Sequence, residues 1–210
     1  MFNQMSRRRH PPLADPRTTL LDAALRAFAR LGYEGATVRD IAEEAGVASG
    51  LLYHYFPSKQ ALLSALFARS GALVMAAFAE AAELPEPGQR LAALLRVSAR
   101  LVREHEAFWR VSYGVRFQHA VLAELAEGVA QQSAAYLAAF AALLAELGRP
   151  EPALEARLLF GTLDGVFQHY VLDPAGYPLE AVIERLIQQH GGQAAPEAPW
   201  PERSSSSSKI

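Results

Sequence analysis

The side chains best placed to do chemistry in this 210-residue chain lie between Thr37 and Lys59. Thr37, Arg39, Ser49, Gly50, Tyr53, His54 and Lys59 supply hydroxyls, cations, an imidazole and one position with no side chain. That set suits holding phosphate oxygens rather than breaking bonds. Thr37 and Lys59 stand at the N-termini of expected helices, where free backbone N–H groups already favour anions. Arg39 adds a cation one turn in, Tyr53 offers a phenol to a phosphate, and His54 reaches a phosphate or a base edge. Gly50 keeps its surface low, so that the backbone can approach DNA closely. Singly, each has an ordinary explanation: Thr37 is a good cap, and a lone lysine is usually solvated surface. Their joint arrangement points to a nucleic-acid interface.

Such residues need short helices to hold them. The apolar positions Leu21, Ala24, Leu25, Phe28 and Leu31 predict a first helix from about Pro16 to Leu31, stopped by Gly32. Thr37 caps a second helix, with Asp40 at capping-box spacing, and Gly46 ends it. Ser49 is expected to cap a third helix that stops at Phe56-Pro57, with Leu52, Tyr55 and Phe56 on its packed face. Ser58 caps a fourth, whose Leu62, Leu63, Leu66 and Phe67 start an apolar stripe towards Glu83. Two short helices around a glycine turn, with packing helices on either side, have the dimensions of a helix-turn-helix.

The carrying residues are Gly35-Ala36-Thr37-Val38-Arg39-Asp40-Ile41-Ala42, then Ala45 to Phe56, then Ser58-Lys59 with Leu62-Leu63. On these the chain resembles the tetracycline-repressor (TetR) family of bacterial regulators, closely over residues 17–67 and in architecture beyond. The resemblance implies a dimeric repressor with recognition helix 49–55 and a larger C-terminal domain that binds an inducer and dimerises. It also implies DNA contact from Thr37, Arg39, Ser49, Gly50, Tyr53, His54 and Lys59. Two positions depart from the pattern: Ser49 stands where members often have lysine, and Leu51 where they often have threonine. Leu51 is then expected to read a thymine methyl.

Composition agrees and excludes alternatives. Alanine, leucine, arginine and glutamate dominate, and strand signals are nearly absent, so the fold is expected to be all-α. Zero cysteines exclude disulfides, thiolate metal sites and cysteine nucleophiles. His105, His119 and His169 are separate, with no carboxylate at metal-ligand or triad spacing, so neither an enzyme nor a cofactor is expected. No run of about eighteen uninterrupted apolar residues predicts a membrane span, and the chain is expected to be soluble and cytoplasmic. Residues 1–60 carry eight basic against six acidic side chains, and residues 61–210 carry twelve against sixteen, so the N-terminal part is mildly basic.

Four segments are expected: a flexible basic arm at 1–15, a helix-turn-helix domain at 16–57, a helical ligand-binding and dimerisation domain at 58–190, and a disordered tail at 191–210. Helix four is the connector. The arm's Arg7-Arg8-Arg9 either enters a minor groove or is only a soluble tail. Further helices are read at 89–104, 106–115, 119–147, 151–172 and 178–190. Met75, Phe78, Phe108, Trp109, Tyr113, Phe117, Phe140 and Phe167 are candidate linings of a ligand cavity, although core packing explains aromatics equally.

Two ligand classes stay open: a small hydrophobic inducer, or an acyl-CoA whose phosphates Arg96, Arg100 and Arg103 hold. Leu158, Gly161, Gly165, Val166, His169, Val182, Ile183 and Leu186 are the candidate dimer interface. The expected partners are a double-stranded DNA operator and a second copy of the chain. A DNA-binding protein without inducer is the remaining alternative.

Overall fold

The computed structural model describes residues 15–116 and 118–191, all of whose regular elements are helical. The arm, the tail and Phe117 lie outside the described residues. In chain order the helices are α1 (Pro16–Gly35), α2 (Val38–Glu44), α3 (Ser49–Tyr55), α4 (Lys59–Ala82), α5 (Pro87–Glu104), α6 (Glu106–Val115), α7 (His119–Glu146), α8 (Pro152–Leu172) and α9 (Leu179–Gln189). The boundaries follow the capping chemistry. Asp15 accepts from the amides of Arg17 and Thr18 at 3.1 and 3.3 Å, and Pro16 starts α1 where no donor is needed. Gly32, at φ +73°, breaks the helical path inside α1, so Tyr33–Gly35 form a separate turn.

Two compact units result. The described residues up to Leu73, together with His105–Ala134, form the first; Val74–Glu104 and the described residues from Ala135 onward form the second. This division differs from a boundary at residue 57, because α6 packs on α1. Phe108, Val111 and Val115 join the same core as Leu20, Phe28, Ile41, Leu52 and Leu62. Phe67 of α4 meets Phe108 edge-on at 5.3 Å. On α4, a β-carbon at Gly71 would overlap the Gln132 amide of α7, so glycine is what lets that side chain seat there.

The second unit is built on α5, which buries Leu91, Leu95, Ala99 and Val102 and packs on α9. Arg96 donates two bonds of 2.6 Å to the Glu184 carboxylate, and Arg103 donates one of 2.7 Å to Glu180. The Glu184 hydrogen bonds raise the Arg96 pKa further above its ordinary value. Arg96 and Arg103 are therefore interhelical ties rather than the free cations a phosphate-holding role expects, and Arg100 is exposed. Phe78, Tyr136, Phe140 and Phe160 form an aromatic cluster, with Phe78 5.5 Å from Tyr136 and 5.8 Å from Phe140.

Two helical stretches, α4 and Leu125–Glu146 of α7, are long and apolar enough by length and composition to cross a membrane, with mean hydropathies of 1.7 and 1.3. Neither is an uninterrupted apolar run, because Arg69 and Glu80 divide the first, and Glu127, Gln131 and Gln132 divide the second. Alanine supplies much of their apolarity. Leu62, Leu63 and Leu66 of α4 are used in the core of the first unit, at 1% exposure or less.

Candidate nucleic-acid interface

A helix of seven residues, α3, presents the candidate DNA-facing surface. Its back is fixed by Leu52, with no exposed surface, and by Phe56 just beyond its end, 2% exposed. Its front carries Gly50, Leu51, Tyr53, His54 and Tyr55, all exposed, and Ser49 at intermediate exposure. Tyr55 was expected in the core; at 37% exposure it stands on the open side instead, edge-on to His54 at 5.2 Å. Ser49 was expected to cap α3, but Ala48 occupies the cap position and no side chain bonds there. The Ser49 hydroxyl is thus left without a capping duty. Gly46, at φ +67°, turns the chain between α2 and α3.

Gly50 has no packing reason to be glycine. A β-carbon built there meets nothing within 4 Å, so no contact among the described residues requires a glycine.

The entry to α2 is built as the capping-box spacing predicts. Thr37 accepts from the Asp40 amide at 3.2 Å, and its own amide and hydroxyl donate to Asp40 Oδ2 at 2.8 and 2.6 Å. The Thr37 hydroxyl bond, then the Thr37 amide bond, hold the Asp40 carboxyl below its ordinary pKa of 3.8. Arg39 is exposed one residue before it.

Lys59, expected as a phosphate grip, is engaged within the chain. Its ammonium donates to the carbonyls of Tyr33, Glu34 and Ala36 at 2.8, 3.3 and 3.1 Å, and sits 4.5 Å from the centre of the Tyr33 ring. The Ser58 hydroxyl caps α4 through the Ala61 amide at 3.0 Å. Other cations are also engaged: Arg26 and Arg30 hold Glu44 at 2.8 and 3.3 Å, and Arg69 holds Asp22 at 2.8 Å. Arg17, which the motif reading missed, lies with its guanidinium 5.2 Å from the centre of the Phe56 ring, beside the exit of α3. Its signal was weak, because one arginine at the start of a helix has no distinctive spacing.

The candidate ligand residues are divided between the two units. Phe108, Trp109 and Tyr113 belong to the first unit, where Phe108 is core; Phe78, Phe140 and Phe167 are buried in the second; Met75 is 42% exposed. A cavity of about 160 Å³ lies in the first unit between Phe67 and Ala68 of α4 and Leu125, Val129 and Gln132 of α7. None of those five residues was expected as lining. Of the candidate interface residues, Ile183 and Leu186 are buried at 0% and 7% exposure within the subunit, which corrects their assignment to a dimer surface. Val166 is also buried at 8%, whereas Leu158, Gly161 and His169 are exposed and Gly165 and Val182 are intermediate.

The capping box makes stability depend on pH. Because the folded Asp40 pKa lies below the ordinary 3.8, its contribution to stability is present above that value and lost as pH falls through the folded one. Thermal unfolding of the wild type and Asp40→Asn should therefore differ at neutral pH and converge as the pH is lowered past the carboxylate range.

Comparison with known proteins identifies the family. Residues 20–66 match the model of bacterial regulatory proteins of the tetR family, and residues 86–190 match the tetracyclin repressor-like C-terminal domain. The HTH-type transcriptional repressor KstR2 of Rhodococcus jostii is 48% identical over 60 residues, 25% of this chain and 29% of its own. The HTH-type transcriptional regulator BetI of Rhizobium meliloti is 40% identical over 102 residues, 46% of this chain and 50% of its own. The chain thus spans half or less of the length of these curated relatives. Among solved structures, the fatty acid degradation regulator FadR of Bacillus halodurans superposes with a TM-score of 0.74 at 26% identity, covering 87% of this chain and 97% of its own. FadR of Bacillus subtilis, solved with stearoyl-CoA, gives 0.71 at 22% identity over 85% and 99%, a likeness of fold alone. By both domain matches, the chain belongs to the tetR family of bacterial regulatory proteins.

Proposed function

We propose that this protein is a transcriptional repressor that reads a palindromic operator as a homodimer and is released by a small hydrophobic inducer. The observation that carries the DNA-binding part is the front of α3. A helix short enough to enter a major groove has its back buried through Leu52 and its front open at Gly50, Leu51, Tyr53 and His54, with no internal reason for the glycine. Arg39 and the engaged but outward Thr37 flank it, Ser49 begins it, and Arg17 adds a cation at its exit. Leu51, 38% exposed, is suited to a thymine methyl. A DNA-bound regulator works in the cytoplasm of a bacterium.

Selection from random DNA tests this reading: it should enrich a palindrome, and absence of any enriched sequence refutes it. On that operator, Gly50→Ala should bind more weakly because a methyl group stands off the DNA. The same change should raise helix stability by about 0.5–1 kcal/mol. Weaker binding together with higher thermal stability separates an interface glycine from a packing one.

The dimer rests on α8. Leu154, Leu158, Gly161, His169 and Leu172 recur at helical spacing, and the three leucines are 51%, 62% and 74% exposed, apolar surface that a subunit on its own leaves in water. Gly161 carries no side chain and lets a second helix approach closely. Leu158→Glu should convert a dimer into a monomer by light scattering at micromolar concentration; a wild type that is already monomeric refutes the dimer.

For the inducer, the aromatic cluster of Phe78, Tyr136, Phe140 and Phe160 supports an apolar ligand with one polar group. Burial pushes the Tyr136 pKa up to about 12, and its phenol is a donor at neutral pH. A fatty-acid-derived inducer is the second reading, favoured by the likeness to the Bacillus halodurans regulator. Thermal shifts against fatty acyl-CoAs and against neutral aromatic compounds decide between the two classes. An inducer acts only through a difference in its affinity for the DNA-bound and released states.

A further inference from the structure

We propose that the first unit carries a second ligand site, a pocket between α4 and α7 for a neutral one-ring molecule bearing an amide. The aromatic cluster offered above for the inducer belongs to the other unit, so this pocket shares no residue with it. The pocket is the cavity of about 160 Å³. Ser64, Phe67 and Ala68 line it from one face of α4, at i, i+3 and i+4. Leu125, Gly128, Val129 and Gln132 line it from α7 at the same spacing, extended by one turn.

Burial grades this lining from floor to mouth. Leu125 is buried at 7% exposure, and Phe67 and Val129 are half-buried and packed against the core of the first unit. Ser64, Ala68 and Gly128 are exposed. They form an open mouth, so a guest enters without local unfolding. Gly128 keeps the mouth wide: a β-carbon there meets nothing within 4 Å, so no contact among the described residues requires a glycine.

Size and charge set the class of guest. A cavity of about 150 Å³ takes a benzene-sized ring, and this one matches it in volume. None of the described lining residues is charged, so a charged guest would lose water without gaining a partner. Two polar groups do line the wall. Neither the Ser64 hydroxyl nor the Gln132 amide bonds to another described residue. The amide is seated over Gly71, where a β-carbon would lie 1.3 Å from its nitrogen. Glycine thus makes room for the amide where it lines the cavity. A side-chain amide both donates and accepts, and a second amide on the guest does both in return. With Phe56, Pro57 and Ser58 between α3 and α4, an occupant braces against α7 the helix that follows the reading pair.

Benzamide is the probe, with benzoate and toluene as its charged and purely apolar analogues. Titration of the full chain, followed by amide chemical shifts, should show benzamide binding with shifts at Ser64, Gly128 and Gln132. Benzoate should bind at least about tenfold more weakly, because its charge goes unpaired. Gly128→Leu fills the mouth and should abolish binding. Gly128→Ala should weaken it while raising the melting temperature, as alanine does in a helix. Gln132→Met keeps the length of the side chain and removes the amide. Benzamide affinity should then fall about threefold to tenfold, the range for one hydrogen bond, and toluene affinity should not.

Absence of benzamide binding overturns the proposal. So does benzoate bound equally well, or benzamide affinity unchanged in Gln132→Met. Binding that survives Gly128→Leu overturns it too; if that binding falls in Tyr136→Phe, the guest sits in the aromatic cluster and the inducer reading stands. Should Gly128→Leu fail to fold, Gly128→Ala and the wild-type shifts decide. All these readouts use the protein without DNA, so failure to select an operator refutes the proposed function and leaves this site standing.

Discussion

A helix of seven residues cannot hold its own shape in water, because nucleating the first turn costs more than so few hydrogen bonds return. That constraint governs the first unit of this protein. α3 is this short, so its stability is borrowed through Leu52, through Phe56 at its exit and through the turn at Gly46. α2 has the same length and the same dependence, met by Ile41 and Ala42 beneath it and by the reciprocal Thr37–Asp40 bonds at its start. The larger helices α1, α4 and α6 supply the surface on which both rest.

The borrowing also explains why α6, distant in sequence, belongs with the DNA-reading helices. α1, α2 and α3 are amphipathic on a small scale and leave one side of α1 uncovered. Phe108, Val111 and Val115 fill it. No local pattern in residues 106–115 announces this, since an apolar stripe says that a face is buried without naming its partner. The same limit misplaced Ile183 and Leu186. Their spacing on α9 is correct for a buried face, and that face turned out to meet α5 of the same subunit.

Much of the candidate interface was nevertheless legible, for identifiable reasons. Thr37 with Asp40, Gly46, and Ser58 before Lys59 are local signals whose partners lie within four residues, and each is realised as read. What stayed illegible is where a side chain reaches across the chain. Lys59 finds carbonyls 23 to 26 residues away, and Arg96 and Arg103 find carboxylates 88 and 77 residues away. A charged residue read in its own neighbourhood looks available to a ligand. Tyr55 is a smaller case: helical spacing alone does not tell the edge of a packed face from its centre.

The internal use of charge has a consequence for how such a protein searches DNA. Around the reading helices, Arg26, Arg30 and Arg69 are neutralised by Glu44 and Asp22, and Lys59 is turned towards carbonyls. Among the described residues, these pairs keep the charge beside the reading helices close to balanced, and a cation already paired releases fewer counterions from a duplex. Fit at the base edges then carries more of what tells one site from another.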